Sequence, residues 1–241
     1  MRVYVGTSGW MYDWNPDGFQ WFVENSGLNA IELNASFYRF PFPNQVRSWA
    51  KRSDKRNIRW SIKVNRFITH VFRFSGRALE TWDKFRRLFN PLEKYIDFYL
   101  FQLPPYARPS PKFIQRLEGF IHSVGLDERF ALEWRNKEWF NDRWVKWAEK
   151  HEITIVSVDS PDFVFYARTT RYVYVRMHGR TIWYAHYYTD DELEEAANKI
   201  IELDGDAAYV FFNNNHDMLE NARRMKKVLE QKLHYGQRTL F

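Results

Sequence analysis

Three carboxylates, a lysine and a histidine each stand at the end of a short apolar run: Glu32, Lys63, Glu133, Asp159 and His178. Such groups are costly to bury without partners, so their position beside apolar runs indicates a function. Carboxylates that face one cavity can divide acid and base roles, because close like charges raise the pKa of one of them. We therefore predict that these five residues form a catalytic group.

The same residues allow other chemistry. A desolvated Lys63 could form a Schiff base or act as a base, or it could neutralise a carboxylate or bind a substrate oxygen. The carboxylates, with His178 and either His70 or His216, could hold a divalent metal, although no HxH or HExxH spacing occurs. The alternative is a charge network in which Glu32 and Glu133 pair with nearby cations, namely Lys63, Arg135 or Arg176.

Groups suited to an anion follow the last two apolar runs. Gly179 would let the backbone approach a phosphate, and Arg176 or Arg180 would supply a bidentate clamp. Asn213 and Asn214 would donate amides, with ordinary helix N-capping as the alternative. The predicted substrate-binding or phosphate-binding residues are Trp10, Asn34, Tyr38, His70, Gln102, Arg135, Arg176, Gly179, Arg180, Asn213 and Asn214.

The elements that would position these residues are eight β-prone runs. Most are apolar on both faces, as expected for parallel strands covered on both sides. The runs are Val3–Val5, Ala30–Leu33, Trp60–Val64, Phe98–Leu103, Phe130–Trp134, Thr154–Val158, Val173–Met177 and Tyr209–Phe212. Helical patterns separate most of them, which predicts a single (β/α)8 TIM barrel over residues 1–241. The segment between Asp159 and Arg171 is too short for a crossover helix, so the unit between strands 6 and 7 is degenerate.

Composition narrows the class of protein. Hydrophobic residues make up 45% of 241 residues and aromatic residues 19%, which is enough for a large core packed with rings. The absence of cysteine excludes disulfides and thiolate chemistry and fits a cytoplasmic location. We expect no membrane segment and no signal peptide, because Arg2–Gly9 has the pattern of a strand. The net charge of +6 is compatible with a phosphorylated or polyanionic ligand, or with a basic solvated surface.

Motifs spread over nearly the whole chain resemble those of the YecE-like family, which is domain of unknown function 72. They are GTSGW, IELNASFYR, SIKVNRFITH, FQLPP, LEWR, VDS, VRMHG and FFNN, in that order along the chain. The resemblance implies a TIM barrel, similar to those of the xylose isomerase and endonuclease IV type, without implying a reaction.

The functional prediction is an enzyme, of hydrolase or isomerase type, that acts on a phosphate-bearing substrate at the C-terminal mouth of the barrel. That substrate could be a small molecule or nucleic acid, because aromatic residues near the mouth could stack bases. Two alternatives stay open at this point. One is a nucleic-acid-binding barrel without catalysis, and the other is a carbohydrate-active barrel that uses paired carboxylates. The identity of a metal and the oligomeric state are not predicted.

Overall fold

Eight parallel strands close into a barrel in the computed structural model, which describes residues 1–238. The strands of the chain are β1 (Arg2–Ser8), β2 (Ala30–Leu33), β3 (Arg59–Lys63), β4 (Ile96–Gln102), β5 (Phe130–Glu133), β6 (Thr154–Asp159), β7 (Val164–Phe165), β8 (Tyr172–Met177) and β9 (Ala207–Phe212). All except β7 form the barrel, in the order β1-β2-β3-β4-β5-β6-β8-β9, and β9 pairs with β1 to close it. All eight predicted strands are therefore present, and the predicted TIM barrel is confirmed.

The degenerate unit between the sixth and seventh barrel strands is also confirmed. Residues 160–171 contain no helix and instead form the short strand β7, which pairs antiparallel with the end of β6. The register joins Asp159 to Val164, so this segment folds back over the carboxyl end of β6 before the chain enters β8.

Seven α-helices surround the barrel within the described residues. They are α1 (Gly18–Asn25), α2 (Pro43–Asp54), α3 (Gly76–Leu88), α4 (Pro111–Val124), α5 (Asp142–Lys150), α6 (Asp190–Glu202) and α7 (Met218–Arg238). Local signals set several of the boundaries. The Ser110 hydroxyl accepts from the Phe113 amide at the start of α4, and Gly125 ends that helix in the left-handed region at φ +54°. Thr189 and Glu192 form a capping box at the start of α6.

The barrel wall separates two hydrophobic cores. The outer core packs the strands against the helices and contains most of the buried tryptophan and phenylalanine rings. The inner core fills the barrel with Ala30, Phe98, Leu100, Ala131, Val156, Val158, Tyr174, Ala207, Tyr209 and Phe211. The strands are thus apolar on both faces because both faces are covered. None of the helices in the described residues combines the length and the apolar composition needed to cross a membrane.

Candidate functional site

The inner core determines which strand-end residues point into the barrel. Side chains alternate along a strand, so every second residue after an inner-core residue faces the lumen. Ala30 precedes Glu32 by two residues, and Ala131 precedes Glu133 in the same way. The same rule places Gln102, Arg135, Arg176, His178 and Asn213 on the inner face at the carboxyl end of the barrel, where TIM-barrel active sites lie. Lys63 shares this face, because it follows Ser61 by two residues and the Ser61 hydroxyl bonds the inner-core Tyr174 at 2.7 Å.

Arg176 is the centre of a buried charge network that joins three strands. Its Nε and Nη2 donate to the two oxygens of Glu32 at 3.0 and 2.6 Å, and its Nη1 donates to Glu133 Oε2 at 2.6 Å. All three side chains are completely buried. Because every nitrogen of this guanidinium already donates to a carboxylate, Arg176 does not provide the free clamp that the sequence predicted. It orients two carboxylates across the lumen instead.

Glu133 also binds His178 and Arg135. Its Oε1 lies 2.9 Å from His178 Nε2 and 2.9 Å from Arg135 Nη2. Burial raises the pKa of Glu133, but Arg135 and Arg176 together outweigh it and hold the pKa well below its ordinary value. Burial, together with the charges of Arg135 and Arg176, holds the pKa of His178 well below its ordinary value. A neutral His178 therefore donates from Nε2 to Glu133 and accepts the Asn213 amide at Nδ1, over 3.3 Å.

Lys63 is the last residue of β3 and is partly exposed, whereas Glu32, Glu133, Arg176 and His178 are buried. Its Nζ has neither a hydrogen-bond partner nor a carboxylate within 4 Å in the described residues, and it lies over the Phe37 ring, 4.5 Å from the centroid. Burial is the main cause that lowers the pKa of Lys63 to about 7, and the charge of Arg176 acts in the same direction. The sequence-based alternative in which Lys63 pairs with a carboxylate therefore does not describe this structure.

The accessible layer around Lys63 contains further predicted residues, all of them partly exposed. Arg135 Nη2 lies 3.4 Å from Gln102 Oε1, and the buried Nε of Arg135 has no partner within the described residues. His70 Nδ1 shares a hydrogen bond of 2.8 Å with the Thr69 hydroxyl. Burial, with a smaller contribution from the charge of Lys63, lowers the pKa of His70 to about 4. Asn34 Oδ1 lies 3.5 Å from Arg176 Nη2, at the edge of the network.

Asp159 and Arg180 form a separate ion pair on the outer side of the barrel wall. Val156 and Val158 face the lumen, so Asp159 faces the helices. Arg180 donates to both Asp159 oxygens at 2.9–3.2 Å and to Glu195 on α6 at 2.6 Å. The predicted catalytic group of three carboxylates is therefore corrected: Glu32 and Glu133 share a network, and Asp159 is outside it.

Two residues predicted to bind phosphate serve the loop between β8 and α6. The Gly179 N–H donates to the Tyr188 hydroxyl at 2.8 Å, and a Cβ at this position would lie 2.6 Å from the Ile182 carbonyl oxygen. Gly179 has φ +104° and approaches its own loop, so its backbone is not presented to a ligand. Asn214 is buried and donates to the His186 carbonyl at 2.6 Å and to Asn221 at 2.8 Å, which braces this loop against α7.

Trp10 and Tyr38 lie outside the network as well. Trp10 packs against Phe19, Trp49 and Trp60 in the outer core. It also lines a largely apolar cleft of about 530 Å³ between the loops that follow β1 and β2. Tyr38 projects from the loop after β2 with 70% of its surface exposed, so it belongs to the rim of the mouth.

Three residues outside the predicted set of site residues contact the network. The Tyr174 hydroxyl donates to Glu32 at 2.7 Å, and the Ser8 hydroxyl donates to the other oxygen at 2.6 Å. Tyr184 in the loop before α6 accepts from Arg135 Nη1 at 3.4 Å. The signal for Tyr174 was available, because it precedes Arg176 by two residues and so shares its face of β8.

In the described residues, the carboxylates and histidines that could hold a divalent metal are not arranged as a metal site. Each oxygen of Glu32 and Glu133 already accepts from a cationic or hydroxyl donor, as expected for the charge-network alternative. Across residues 1–238, His, Asp and Glu side chains form no group of three or more that could hold a metal ion. His216 lies apart from the network and pairs with Asp13 at 3.5 Å.

Comparison with known proteins identifies the family. The description "Protein of unknown function DUF72" matches residues 4–239, so the chain belongs to this family. A DUF72 family protein of Thermotoga maritima is 28% identical over 95% of this chain and 100% of its own, with a TM-score of 0.83. One from Enterococcus faecalis is 22% identical over 95% and 98%, with a TM-score of 0.79.

More distant matches concern the fold alone. D-psicose 3-epimerase has 12% identity to this chain over 98% of each protein, with a TM-score of 0.54. A search of curated proteins finds no significant match to the chain.

Proposed function

We propose that this DUF72 protein is an enzyme that acts on a phosphate-bearing substrate at the mouth of the barrel, with the Lys63 amine as its general base. The observation that carries this proposal is the Lys63 Nζ itself. The charges of Arg176 and Arg135 act on it in one direction and those of Glu133 and Glu32 in the other. It nevertheless has no hydrogen-bond partner and no carboxylate within 4 Å in the described residues, a placement that folding alone would not favour.

The charges at the mouth support an anionic substrate. Glu32 and Glu133 face three cations, namely Lys63, Arg135 and Arg176, so the group carries excess positive charge whenever Lys63 is protonated. Arg135 is the cation that an incoming phosphate would meet, because 8% of its side chain is exposed, whereas Arg176 is completely buried between carboxylates. Gln102 and His70, which lie nearby, would supply further contacts.

The buried network has a positioning role in this proposal. Arg176 and His178 hold Glu133 in one orientation, and Glu133 in turn holds Arg135 at 2.9 Å. With the phosphate on Arg135, the neutral Lys63 amine takes a proton from the substrate and becomes an ammonium. Binding the anion nearby stabilises that ammonium, so the step gains from the same excess charge.

A carbohydrate-active site based on two carboxylates fits the geometry less well. Such a site needs one carboxylic acid that keeps its proton near neutral pH. The pKa of Glu133 is instead held well below its ordinary value by Arg135 and Arg176, in spite of its burial. Glu133 is therefore suited to binding cations rather than to donating a proton.

Competitive acylation tests the proposal directly. The protein is treated with limiting acetic anhydride at about pH 7, and the modification of every lysine is measured by peptide mass spectrometry. Only the neutral amine reacts, so Lys63 should be acetylated at least about tenfold faster than surface lysines. Inorganic phosphate should protect Lys63 and leave Lys199, which pairs with Glu195, unaffected.

Turnover is then sought by NMR with a panel of phosphate-bearing sugars and nucleotides. Activity should be lost in Lys63→Met and kept in Lys199→Met. The proposal fails if Lys63 reacts no faster than the surface lysines and phosphate gives no protection.

A further inference from the structure

Exposed apolar side chains are concentrated on one end of the molecule. The large apolar residues that are exposed in the described part of the chain all lie between the carboxyl end of one barrel strand and the α-helix or barrel strand that follows it. They are Met11, Tyr38, Phe40, Phe42, Phe67, Val71, Tyr106, Val164, Ile182, Tyr184 and Tyr187. A soluble surface would scatter such residues, so their restriction to the mouth indicates an interaction surface.

Basic and acidic residues also lie in different loops of the mouth. The four loops that follow β2, β3, β4 and β5 (residues 34–42, 64–75, 103–110 and 134–141) contain six Arg or Lys residues and one acidic residue, Glu138. The loops that follow β1 and β9 (residues 9–17 and 213–217) contain three Asp residues and neither Arg nor Lys. We call the four basic loops (residues 34–42, 64–75, 103–110 and 134–141) the cationic rim.

Aromatic residues alternate with arginine along the cationic rim. The sequence runs are Tyr38-Arg39-Phe40, Arg66-Phe67, Phe72-Arg73-Phe74 and Tyr106-Ala107-Arg108. Arg73 lies over the Tyr106 ring, 5.1 Å from its centroid, and Tyr106 is 57% exposed. Beside them is an open cleft of about 390 Å³ whose charged lining residues are Arg73, Arg108, Lys112 and Arg116.

The loops of the cationic rim form one continuous surface. The Asn65 amide donates to the Ser36 carbonyl at 2.9 Å, which joins the loops after β2 and β3. The Tyr106 hydroxyl donates to the His70 carbonyl at 3.3 Å, and the Asn136 amide donates to the Pro105 carbonyl at 2.9 Å. These contacts connect the loops after β3, β4 and β5, so cations extend from the outer cleft to Lys63 and Arg135 inside the mouth.

From this surface we infer that the substrate is a single-stranded nucleic acid, bound along the cationic rim with its backbone on the arginines and an unpaired base stacked on Tyr106. This inference rests on the proposed function, because it names the substrate class of the same site. Exposed rings between cations bind single strands, since every unpaired base offers a face for stacking. A membrane surface is the less suitable ligand, because the cations continue inward to recessed positions that a flat surface does not reach.

The experiment measures fluorescence polarisation with a labelled oligothymidylate of about 12 nucleotides, a length within the range of single-strand binding sites. The affinity of the parent protein should fall as salt rises, and a duplex of equal length should bind more weakly. The variant Arg73→Ala with Lys112→Ala should reduce the slope of log affinity against log salt by about 1.4, from about 0.7 for each lost phosphate contact.

Substitutions of Tyr106 distinguish the contribution of base stacking to the affinity from that of charge. Tyr106→Ala should weaken binding by about 5- to 150-fold with an unchanged salt slope. Tyr106→Phe keeps the ring and loses only the 3.3 Å contact with the His70 carbonyl, so it should bind much more tightly than Tyr106→Ala. The matched charge control is Lys55→Ala with Arg56→Ala, at the opposite end of the barrel beyond α2. That control removes the same charge and should leave binding unchanged.

Three outcomes overturn the inference. They are no oligonucleotide binding at low salt, equal losses in the Arg73→Ala, Lys112→Ala variant and the control variant, and binding to phosphatidylserine-containing vesicles in preference to the oligonucleotide. Acylation of Lys63 is measured without any oligonucleotide, so the two proposals fail separately. If Lys63 is reactive and protected by phosphate but no oligonucleotide binds, this inference is wrong and the proposed function stands. If the oligonucleotide binds but Lys63 is neither reactive nor protected, the proposed function is wrong.

Discussion

Replacing Lys63 by methionine should increase the free energy of unfolding, although it removes the residue at the centre of the proposed site. Burial, with the charge of Arg176, lowers the pKa of this lysine from 10.5 to about 7. At about 1.4 kcal/mol per pKa unit, this pKa difference means that Lys63 lowers the free energy of unfolding by at most about 5 kcal/mol. We expect a gain of about 1–3 kcal/mol, because the side chain is partly exposed and salt anions screen its charge. Methionine keeps the contact with the Phe37 ring.

The sign of this effect depends on pH in a defined way. The folded-state pKa of Lys63 lies below its unfolded value, so the unfolded state binds more protons between pH 7 and 10.5. The stability of the parent protein should therefore rise with pH across that window through this group. The advantage of Lys63→Met should be complete below about pH 7 and should disappear near pH 10.5.

Urea unfolding, followed by tryptophan fluorescence in phosphate-free buffer at about pH 6, 8 and 10, measures the effect. Lys199→Met is the control, because Lys199 pairs with Glu195 on the surface of α6, and its loss should change stability by less than about 0.5 kcal/mol. Our explanation of the site is refuted if Lys63→Met is less stable than the parent at pH 6, or if its effect does not change with pH.

Two further substitutions test the buried network in the barrel lumen and the Asp159–Arg180 ion pair independently. Arg176→Met should cost about 3–5 kcal/mol, because Glu32 and Glu133 would lose their shared buried partner. The pKa of Glu133 is held low in the parent, so this stabilisation is present above pH 4.5 and is lost as pH falls through the folded-state value. Urea unfolding at several pH values should therefore show the deficit of Arg176→Met shrinking at low pH, and a constant deficit would contradict this. Asp159→Asn should cost about 1–3 kcal/mol, since the Asp159–Arg180 contacts weaken. The same variant should leave Lys63 acylation unchanged, and a slower reaction would show that Asp159 acts on the site.

Much of the fold could be predicted because local patterns agreed with tertiary packing. All eight barrel strands, the cap at Ser110 and the capping box at Thr189 follow from residue types at short spacing. The degenerate unit after β6 could also be predicted, because residues 160–171 are too few for a helix and its connections.

The candidate site was predicted as a set of strand ends and corrected by the direction of single side chains. Asp159 and Glu133 both end apolar strands, but only Glu133 lies two residues after an inner-core residue. When both faces of a strand are apolar, the pattern does not show which face is the lumen, so the two carboxylates could not be distinguished.

Residue types at short spacing already place particular chemical groups at the carboxyl ends of eight strands, because periodicity and capping act over a few residues. Which of these groups meet depends on the way the whole chain folds. Glu32, Glu133 and Arg176 are separated by 101 and 43 residues along the chain, and closure of the barrel brings them within hydrogen-bonding distance. Closure also leaves Lys63 without a partner among the described residues, since the two buried carboxylates are already bound by Arg176.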